Sequence, residues 1–287
     1  MGSRSGALIA LAVAASAVAA PDRFVTATVS PRSARPGDLV VVTIDAPGET
    51  NANPKVFVKA FGRAVPSFAS ARHQWQALIG VDLDVKPGTY KVNAVVEDTG
   101  GEHDLVVVPR TFPTRRLTVD PDFVTPPPSE EKRIEAEAKL LERTWASTTA
   151  ERLWTTPFTA PVPQASNSAF GTRSIFNGKP RSPHGGADFL SPAGTPVAAP
   201  NGGRVVIARN LYYSGNTVVI DHGLGFFSML AHLSAIDVKE GDTIAPRQRV
   251  GLVGATGRVT GPHLHWAVRV AGARVDPLSV LTLLGKS

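Results

Sequence analysis

The sequence predicts a mainly β protein of two domains joined by a short helical connector, on three observations. Its 287 residues suit about two domains of common size. Its 26 Gly and 24 Pro are many for a helical protein, because both residues interrupt helices and settle in turns. Its apolar residues fall mostly in short alternating runs, as strands with one buried face require. A hydrophobic content of 43% against 19% charged residues excludes a disordered chain. Cysteine is absent, which excludes disulfides, thiolate zinc sites, a thiol nucleophile and a lipidated N-terminal cysteine.

The first 20 residues, MGSRSGALIALAVAASAVAA, read as an export signal. Arg4 gives a positive start, Ala7 to Val18 an apolar stretch, and Ala17-Val18-Ala19 a cleavage pattern that predicts a signal peptide over 1–19. The apolar stretch from Gly6 to Ala20 is 15 residues, short of the roughly 20 that a spanning helix needs. No later run reaches that length, so no transmembrane segment is expected. The expected location is the periplasm or the exterior and cell wall of a bacterium.

Residues 23–119 read as seven short strands: 24–30, 38–45, 55–60, 73–80, 89–97, 104–110 and 115–119. Pro36-Gly37, Pro47-Gly48 and Pro87-Gly88 mark turns between them. The even positions of Tyr90 to Val96 are apolar, giving the strand one buried face. Seven such strands in about 100 residues predict an immunoglobulin-like β-sandwich. His73 and His103 are isolated there and are expected at the surface.

Residues 120–163 predict a proline-rich and helical connector. Pro126-Pro127-Pro128 breaks the strand pattern, and Ser129 is placed to cap a helix whose first turn holds Glu130 and Glu131. Ile134, Ala138, Leu141 and Trp145 form one helical stripe, expected to pack on a domain of the same chain. Glu135 and Lys139 are spaced as an i,i+4 ion pair. Thr155 to Pro163 is expected to be extended. Strand-like runs then return at 203–209, 216–221, 226–232, 249–253 and 263–270, so residues 164–287 predict a nearly all-β domain.

The net charge is +6, and it is unevenly spread. Residues 1–158 hold 18 basic and 18 acidic residues, whereas 159–287 hold 12 basic and 6 acidic, so the whole excess lies in the second domain. A basic surface concentrates polyanions. No Lys/Arg run and no interleaving of basic and aromatic residues is present, which argues against nucleic acid as the partner.

Five of the seven histidines lie in this domain: His184, His222, His232, His263 and His265. Side chains at even offsets on an extended chain share a face, so His263 and His265 point the same way, roughly 7 Å apart. His184 and Asp188 share a face if their segment is extended. Imidazole nitrogens with one carboxylate oxygen suit Zn²⁺, and a catalytic zinc takes three protein ligands and leaves a position for water. Four candidates for three places leave one histidine for proton chemistry.

These residues sit in a longer pattern. Phe170-Gly171-x-Arg173-x-x-x-Asn177-Gly178 precedes Ser182-Pro183-His184-x-Gly186-x-Asp188-Phe189. Gly194-Thr195-Pro196-Val197, Gly215-Asn216 with Asp221-His222-Gly223, and Ala231-His232-Leu233-Ser234 follow. Gly251-x-Val-Gly254-x-Thr256-Gly257, Thr260-Gly-Pro-His263-Leu-His265-Trp266 and Val275-Asp276-Pro277-Leu278 end it. In order and spacing the pattern resembles the lysostaphin/LytM-type zinc metallopeptidases over about 170–280. The resemblance implies a LytM-type β domain that hydrolyses peptide bonds of peptidoglycan with one zinc per chain. It implies His184, Asp188 and His265 as zinc ligands, His232 and His263 as catalytic histidines, and a structural role for His222. Arg173, Asn177 and Tyr213 are expected to line the groove or help bind the developing oxyanion. The expected partner is the anionic cell-wall polymer, with the N-terminal domain available to a cell-wall or divisome protein. Two other functions fit such a domain: a non-catalytic regulator that binds the wall and activates amidases, or a wall-binding module with a structural zinc. Presence of all three ligands and both extra histidines favours the enzyme.

Overall fold

A computed structural model of the chain describes residues 24–118, 124–167 and 170–285. The segment expected to be a signal peptide lies outside them. Strands dominate, in agreement with the mainly β expectation. No helix among the described residues is long and apolar enough to cross a membrane.

The N-terminal strands are β1 (Thr26–Ser30), β2 (Ser33–Ala34), β3 (Leu39–Asp45), β4 (Val56–Ala60), β5 (Arg63–Val65), β6 (Ser67–Ala71), β7 (Gln74–Gly80), β8 (Gly88–Val96) and β9 (Thr99–Val107). They form a four-stranded sheet, β1-β3-β7-β6, and a five-stranded sheet, β2-β9-β8-β4-β5. Val40, Val42, Ile44, Ile79, Val92, Ala94, Val96 and Leu105 fill the space between the sheets. The alternation that marked Tyr90 to Val96 as a strand is what sends Val92, Ala94 and Val96 into that core. Strands β2, β5 and β6 were not among those expected; of these, β5 follows β4 through a tight hairpin that Gly62 (φ 76°) and Phe61 (φ 49°) allow.

Strand β10 (Thr114–Leu117) differs from expectation. It was expected as the seventh strand of the sandwich, yet it runs parallel to a strand of the following domain. Pro109 and Pro113 supply no amide hydrogen, so the sandwich ladder stops after β9 and the chain is released toward its new partner.

The connector holds a 3₁₀ turn at Pro128–Glu130 and helix α1 (Glu131–Ala146). Ser129 does not cap α1, since the turn carries it past the cap position and no side chain caps the helix. Leu141 and Trp145 of the expected stripe, with Leu140, pack on Ile207, Val219 and Phe227. Lys139 and Glu135 pair at 2.6 Å, as their spacing predicts. Beyond the helix, Trp154, Phe158 and Val162 enter the core of the second domain. The Phe158 ring stacks on Phe226 at 4.7 Å between centroids.

The second domain comprises β11 (Arg173–Phe176), β12 (Lys179–Pro180), β13 (Gly186–Phe189), β14 (Pro196–Ala198), β15 (Gly203–Leu211), β16 (Gly215–Gly223), β17 (Phe226–Ile236), β18 (Thr243–Ile244), β19 (Arg249–Val253), β20 (Leu264–Val270) and β21 (Ala273–Val275). Helix α2 (Pro277–Leu284) follows, and it departs from the nearly all-β expectation. Asp276 caps it by accepting from the Leu278 amide, and Pro277 occupies its first turn. The main sheet runs β13-β20-β17-β16-β15-β18, with β14, β19 and β21 attached at its sides.

The sandwich is welded to this domain rather than tethered. Alternate residues of β3 and β7 face opposite ways: Val40, Val42 and Ile79 enter the sandwich core, while Leu39 and Leu78 enter the core of the second domain. Asp276 donates its amide to Gly37 O at 2.7 Å, and Arg274 forms ion pairs with Asp82 and Asp84. The contacts gather at the Val270 end of β20 and beyond it, about 17 Å along the strand from His265. Leu39 is fully buried where the two cores meet. Leu39→Asp will therefore cost about 4 kcal/mol or more and lower the melting temperature by about 10 °C. Calorimetry should show one transition moving as a whole. Two transitions, of which only one moves, would show that the domains fold independently.

Candidate metal centre

Strands β13 and β20 pair antiparallel with Asp188 directly opposite His265. His184 lies on the loop into β13, held by its amide to Thr172 O at 3.0 Å and by its carbonyl, which accepts from the Gly171 amide at 2.8 Å. His184 Nε2, Asp188 Oδ1 and His265 Nδ1 then form a nearly equilateral triangle. Its edges are 3.0 Å (His184 to Asp188), 3.0 Å (His184 to His265) and 2.9 Å (His265 to Asp188). Three potential ligand atoms converging at that spacing suit a shared cation. Ligands about 2.0–2.1 Å from a tetrahedral zinc stand about 3.3 Å apart, close to these edges. His–Asp–His is also a donor chemistry that zinc accepts. The residues fit the ion. Nδ1 of His184 is buried and has no hydrogen-bond partner among the described residues, so its Nε2 is the ring's one engaged nitrogen.

The triad side chains are only 13–18% exposed. Burial opposes ionisation of Asp188, but its hydrogen bonds to His184 and His265 outweigh it and hold the carboxyl well below the usual carboxylate range. Burial pushes His265 below its ordinary value against the pull of Asp188.

Two further histidines face the triad. His263 precedes β20, and its Nδ1 donates to Gly261 O at 2.9 Å, leaving Nε2 3.8 Å from Asp188 Oδ1. His232 follows Ala231, the β17 residue opposite His265. Its backbone is left-handed (φ 64°), an uncommon conformation for a side chain of this size, at a register shift of β17 against β16. That kink brings its ring 4.9 Å from His263 and 5.9 Å from His265, centroid to centroid. His232 Nδ1 donates to Thr256 O at 2.9 Å and its amide donates to Ser214 O at 2.9 Å. In both rings the protonated nitrogen is fixed by a carbonyl, which leaves Nε2 as the basic atom. Burial, helped by His265, pushes His232 down to about 3, so the ring is neutral across the physiological range.

Gly186 makes the arrangement possible. A Cβ there would collide with the Trp266 carbonyl oxygen and stand 2.8 Å from His265 Cε1. Behind the triad, His222 is fully buried and satisfied at both ring nitrogens. Nδ1 donates to Gly202 O at 2.7 Å, and Nε2 accepts from Ser228 Oγ at 2.9 Å, which itself accepts from Trp266 Nε1 at 3.2 Å. His222 thus lies two hydrogen bonds, through Ser228, from the residue after His265, and both its ring nitrogens are engaged away from the triad.

Burial pushes His222 down to about 4 from 6.5. Between those values an unfolded chain binds a proton that the folded chain refuses, so this stability is complete above about pH 6.5 and falls as pH drops toward 4. The span is worth about 3 kcal/mol. Melting temperatures of the wild type and His222→Gln, measured from pH 7 to pH 4, should show the steeper loss in the wild type. Parallel curves would remove His222 as the cause.

Of the other expected groove residues, Arg173 is exposed on β11, and Asn177 takes a left-handed turn (φ 48°) before β12. Tyr213 is half-buried in the β15–β16 turn. His73 precedes β7 and His103 lies on β9, so both belong to the sandwich and neither joins the cluster. Arg258 escaped the sequence reading. Its guanidinium lies over the Tyr213 ring at 4.3 Å, a contact that only the folded loops create.

Fold and site together define a β-rich domain with a candidate His–Asp–His metal site and two adjoining histidines. Residues 182–277 match the sequence profile of Peptidase family M23. The crystal structure of an M23 protein from Pseudomonas aeruginosa superposes with a TM-score of 0.68 at 32% identity, over 86% of this chain and 94% of that one. The chain belongs to peptidase family M23. Among curated relatives, it is 50% identical over 96 residues to peptidoglycan DD-endopeptidase ShyA of Vibrio cholerae, covering 33% of this chain and 22% of that protein. It is 42% identical over 97 residues to DD-carboxypeptidase/endopeptidase Mpg of Neisseria meningitidis, covering 34% and 22%. It thus spans under a quarter of the length of either relative.

Proposed function

We propose that this protein is an exported zinc metalloendopeptidase that hydrolyses peptide cross-links of bacterial peptidoglycan. The observation that carries the reading is the convergence of His184 Nε2, Asp188 Oδ1 and His265 Nδ1, with two tautomer-fixed histidines alongside. In this reading those three residues hold one zinc per chain, and His232 and His263 are catalytic. A bound zinc supplies Lewis-acid activation of water and of the scissile carbonyl. His232 and His263 each hold Nδ1 on a carbonyl, which keeps Nε2 available to take the proton of the attacking water and to deliver one to the departing amine. Gly186 and the β13–β20 register orient the ligands. The naming of one relative as a peptidoglycan DD-endopeptidase, and of another as a DD-carboxypeptidase/endopeptidase, supports the wall as substrate.

The reading carries a division into a signal peptide at 1–19, an immunoglobulin-like accessory sandwich at 23–119, a connector at 120–163 and the LytM-type domain at 164–287. It also carries a location in the periplasm or cell wall, with the sandwich available to a wall or divisome protein. The test is zinc content together with peptide release from purified sacculi, after chelation and after zinc return. Zinc-restored release supports the enzyme. Stoichiometric zinc without release, across pH and cross-link types, would leave the amidase-activating regulator.

A further inference from the structure

One face of α1 changes its chemistry along its length. Leu140, Leu141 and Trp145 lie on Ile207, Val219 and Phe227, so the C-terminal half of the helix is fixed to β15, β16 and β17. Arg133 and Glu137 continue that face toward the N-terminus, at i,i+4 spacing, where it passes the turn between β15 and β16. Arg133 Nε donates to Glu137 Oε1 at 2.7 Å, and both side chains go on to the turn. Glu137 Oε2 accepts from the Tyr212 amide at 2.7 Å, and Arg133 Nη2 donates to Asn210 Oδ1 at 2.9 Å. A hydrogen bond to a charged acceptor such as Glu137 is shorter and stronger than one between neutral groups.

The same turn holds His232 in its kinked conformation. The His232 amide donates to Ser214 O, two residues beyond Tyr212, and its Nδ1 donates to Thr256 O, each at 2.9 Å. Thr256 is in turn held by the residues that leave the turn: its Oγ1 accepts from the Asn216 amide at 2.9 Å and donates to Leu233 O at 2.8 Å. The two segments meet without slack, since a Cβ on Gly215 (φ 62°) would collide with the Thr256 backbone and hydroxyl. Asn210 Nδ2 closes the base of the turn by donating to Asn216 Oδ1 at 3.0 Å. Both bonds on His232 therefore come from this turn or from the residue packed against it. A left-handed backbone at a bulky residue persists only where its surroundings over-determine it. Here part of those surroundings is anchored on the connector.

We propose that Glu137, oriented by Arg133, is a positioning residue for His232, so that the connector helix acts as a strut holding the β15–β16 turn and, through Ser214 O and Thr256 O, the imidazole. The proposal rests on the endopeptidase reading for what His232 does. It adds that the apparatus extends into α1, which lies wholly before residue 182, where the match to the family begins. The strut acts on the orientation of a ring already in place, and so it bears on the chemical step more than on substrate binding.

The test follows His232 directly, by nitrogen NMR of the zinc-loaded full chain with labelled imidazoles, its signal assigned by its loss in His232→Gln. The wild type should show one neutral ring with the proton on Nδ1. Glu137→Ala should broaden that signal or add the second tautomer, and Glu137→Gln, which keeps an acceptor oxygen for the Tyr212 amide, should restore it. Arg133→Ala should act in the same direction as Glu137→Ala. On a cross-linked peptide dimer purified from sacculi, Glu137→Ala should lower kcat by about tenfold to a hundredfold and change KM less than about threefold, with zinc content unchanged. Glu137→Gln should recover most of that loss. Glu135→Ala, which breaks only the exposed pair with Lys139 on the same helix, should match the wild type in spectrum and rate. An unchanged His232 signal in Glu137→Ala overturns the strut, whatever the rate. An equal loss of rate in Glu135→Ala also overturns it, because α1 would then act through stability alone. If the wild type cleaves nothing and Glu137→Ala still alters the His232 signal, the strut stands and the endopeptidase reading falls.

Discussion

Asp188→Ala will empty the metal centre and lower peptide release from sacculi by about 10³-fold or more. The carboxylate is the hub of the cluster, 3.0 Å from His184 Nε2 and 2.9 Å from His265 Nδ1, and without it two imidazoles alone face the ion. Loss of one of three protein ligands costs most of the affinity, and with the ion goes the activation of water that the reaction needs. Metal content by mass spectrometry should fall from one zinc per chain to background, with the circular dichroism unchanged. His263→Ala gives the matching control, because its Nε2 stands 3.8 Å from the carboxylate and in the proposed mechanism handles protons rather than the ion. That variant should keep its zinc and lose activity. If it loses zinc while Asp188→Ala retains it, the ligand and catalytic roles have to be exchanged.

Gly186→Ala is expected to be nearly as damaging, although it removes no ligand. The added methyl would collide with the Trp266 carbonyl and meet the His265 ring at 2.8–2.9 Å. The carbonyl belongs to the backbone and cannot rotate aside, so β13 has to move off β20, and Asp188 moves with it. Overpacking of this kind costs about 1–3 kcal/mol of stability. Displaced ligands should weaken zinc binding by about 100-fold or more. A zinc titration followed by thermal melting separates the two effects. Wild-type affinity in Gly186→Ala would mean that the strand pair yields more easily than its backbone contact implies.

The even spacings His263-Leu264-His265 and His184-to-Asp188 marked four candidates for one cluster, but the choice of His184, Asp188 and His265 came from the family resemblance, and His184 reaches the other two from the loop before β13 rather than from a strand. The short alternating strands were legible because strand geometry is periodic. Pairing partners were not, since nothing local in Thr114–Leu117 says that it will leave the sandwich and join β11. The connector also carried a hidden role. Phe158 read as a member of the extended stretch from Thr155 to Pro163, and only tertiary contact with Phe226 makes it, with Trp154 just before it, part of the core. His232 looked like the end of a regular strand. Its left-handed kink depends on Ser214 and Thr256, 18 and 24 residues away, so no window of local sequence contains it.

Strand β3 divides its residues between two cores, and that has a consequence for drift and recombination. Its burial leaves no exposed position from Leu39 to Asp45, whereas β1 and β4 alternate between covered and open sites. In a library of single substitutions, β1 and β4 should accept polar residues at every second position, and β3 should accept them at few positions beyond Thr43 and Asp45, which are already polar. Any exchange of this sandwich for another module must therefore carry β3 and β7 across the crossover, or supply a substitute surface for Val270, Val275 and Trp154. Part of what holds the peptidase domain closed is written in the gene before the connector begins.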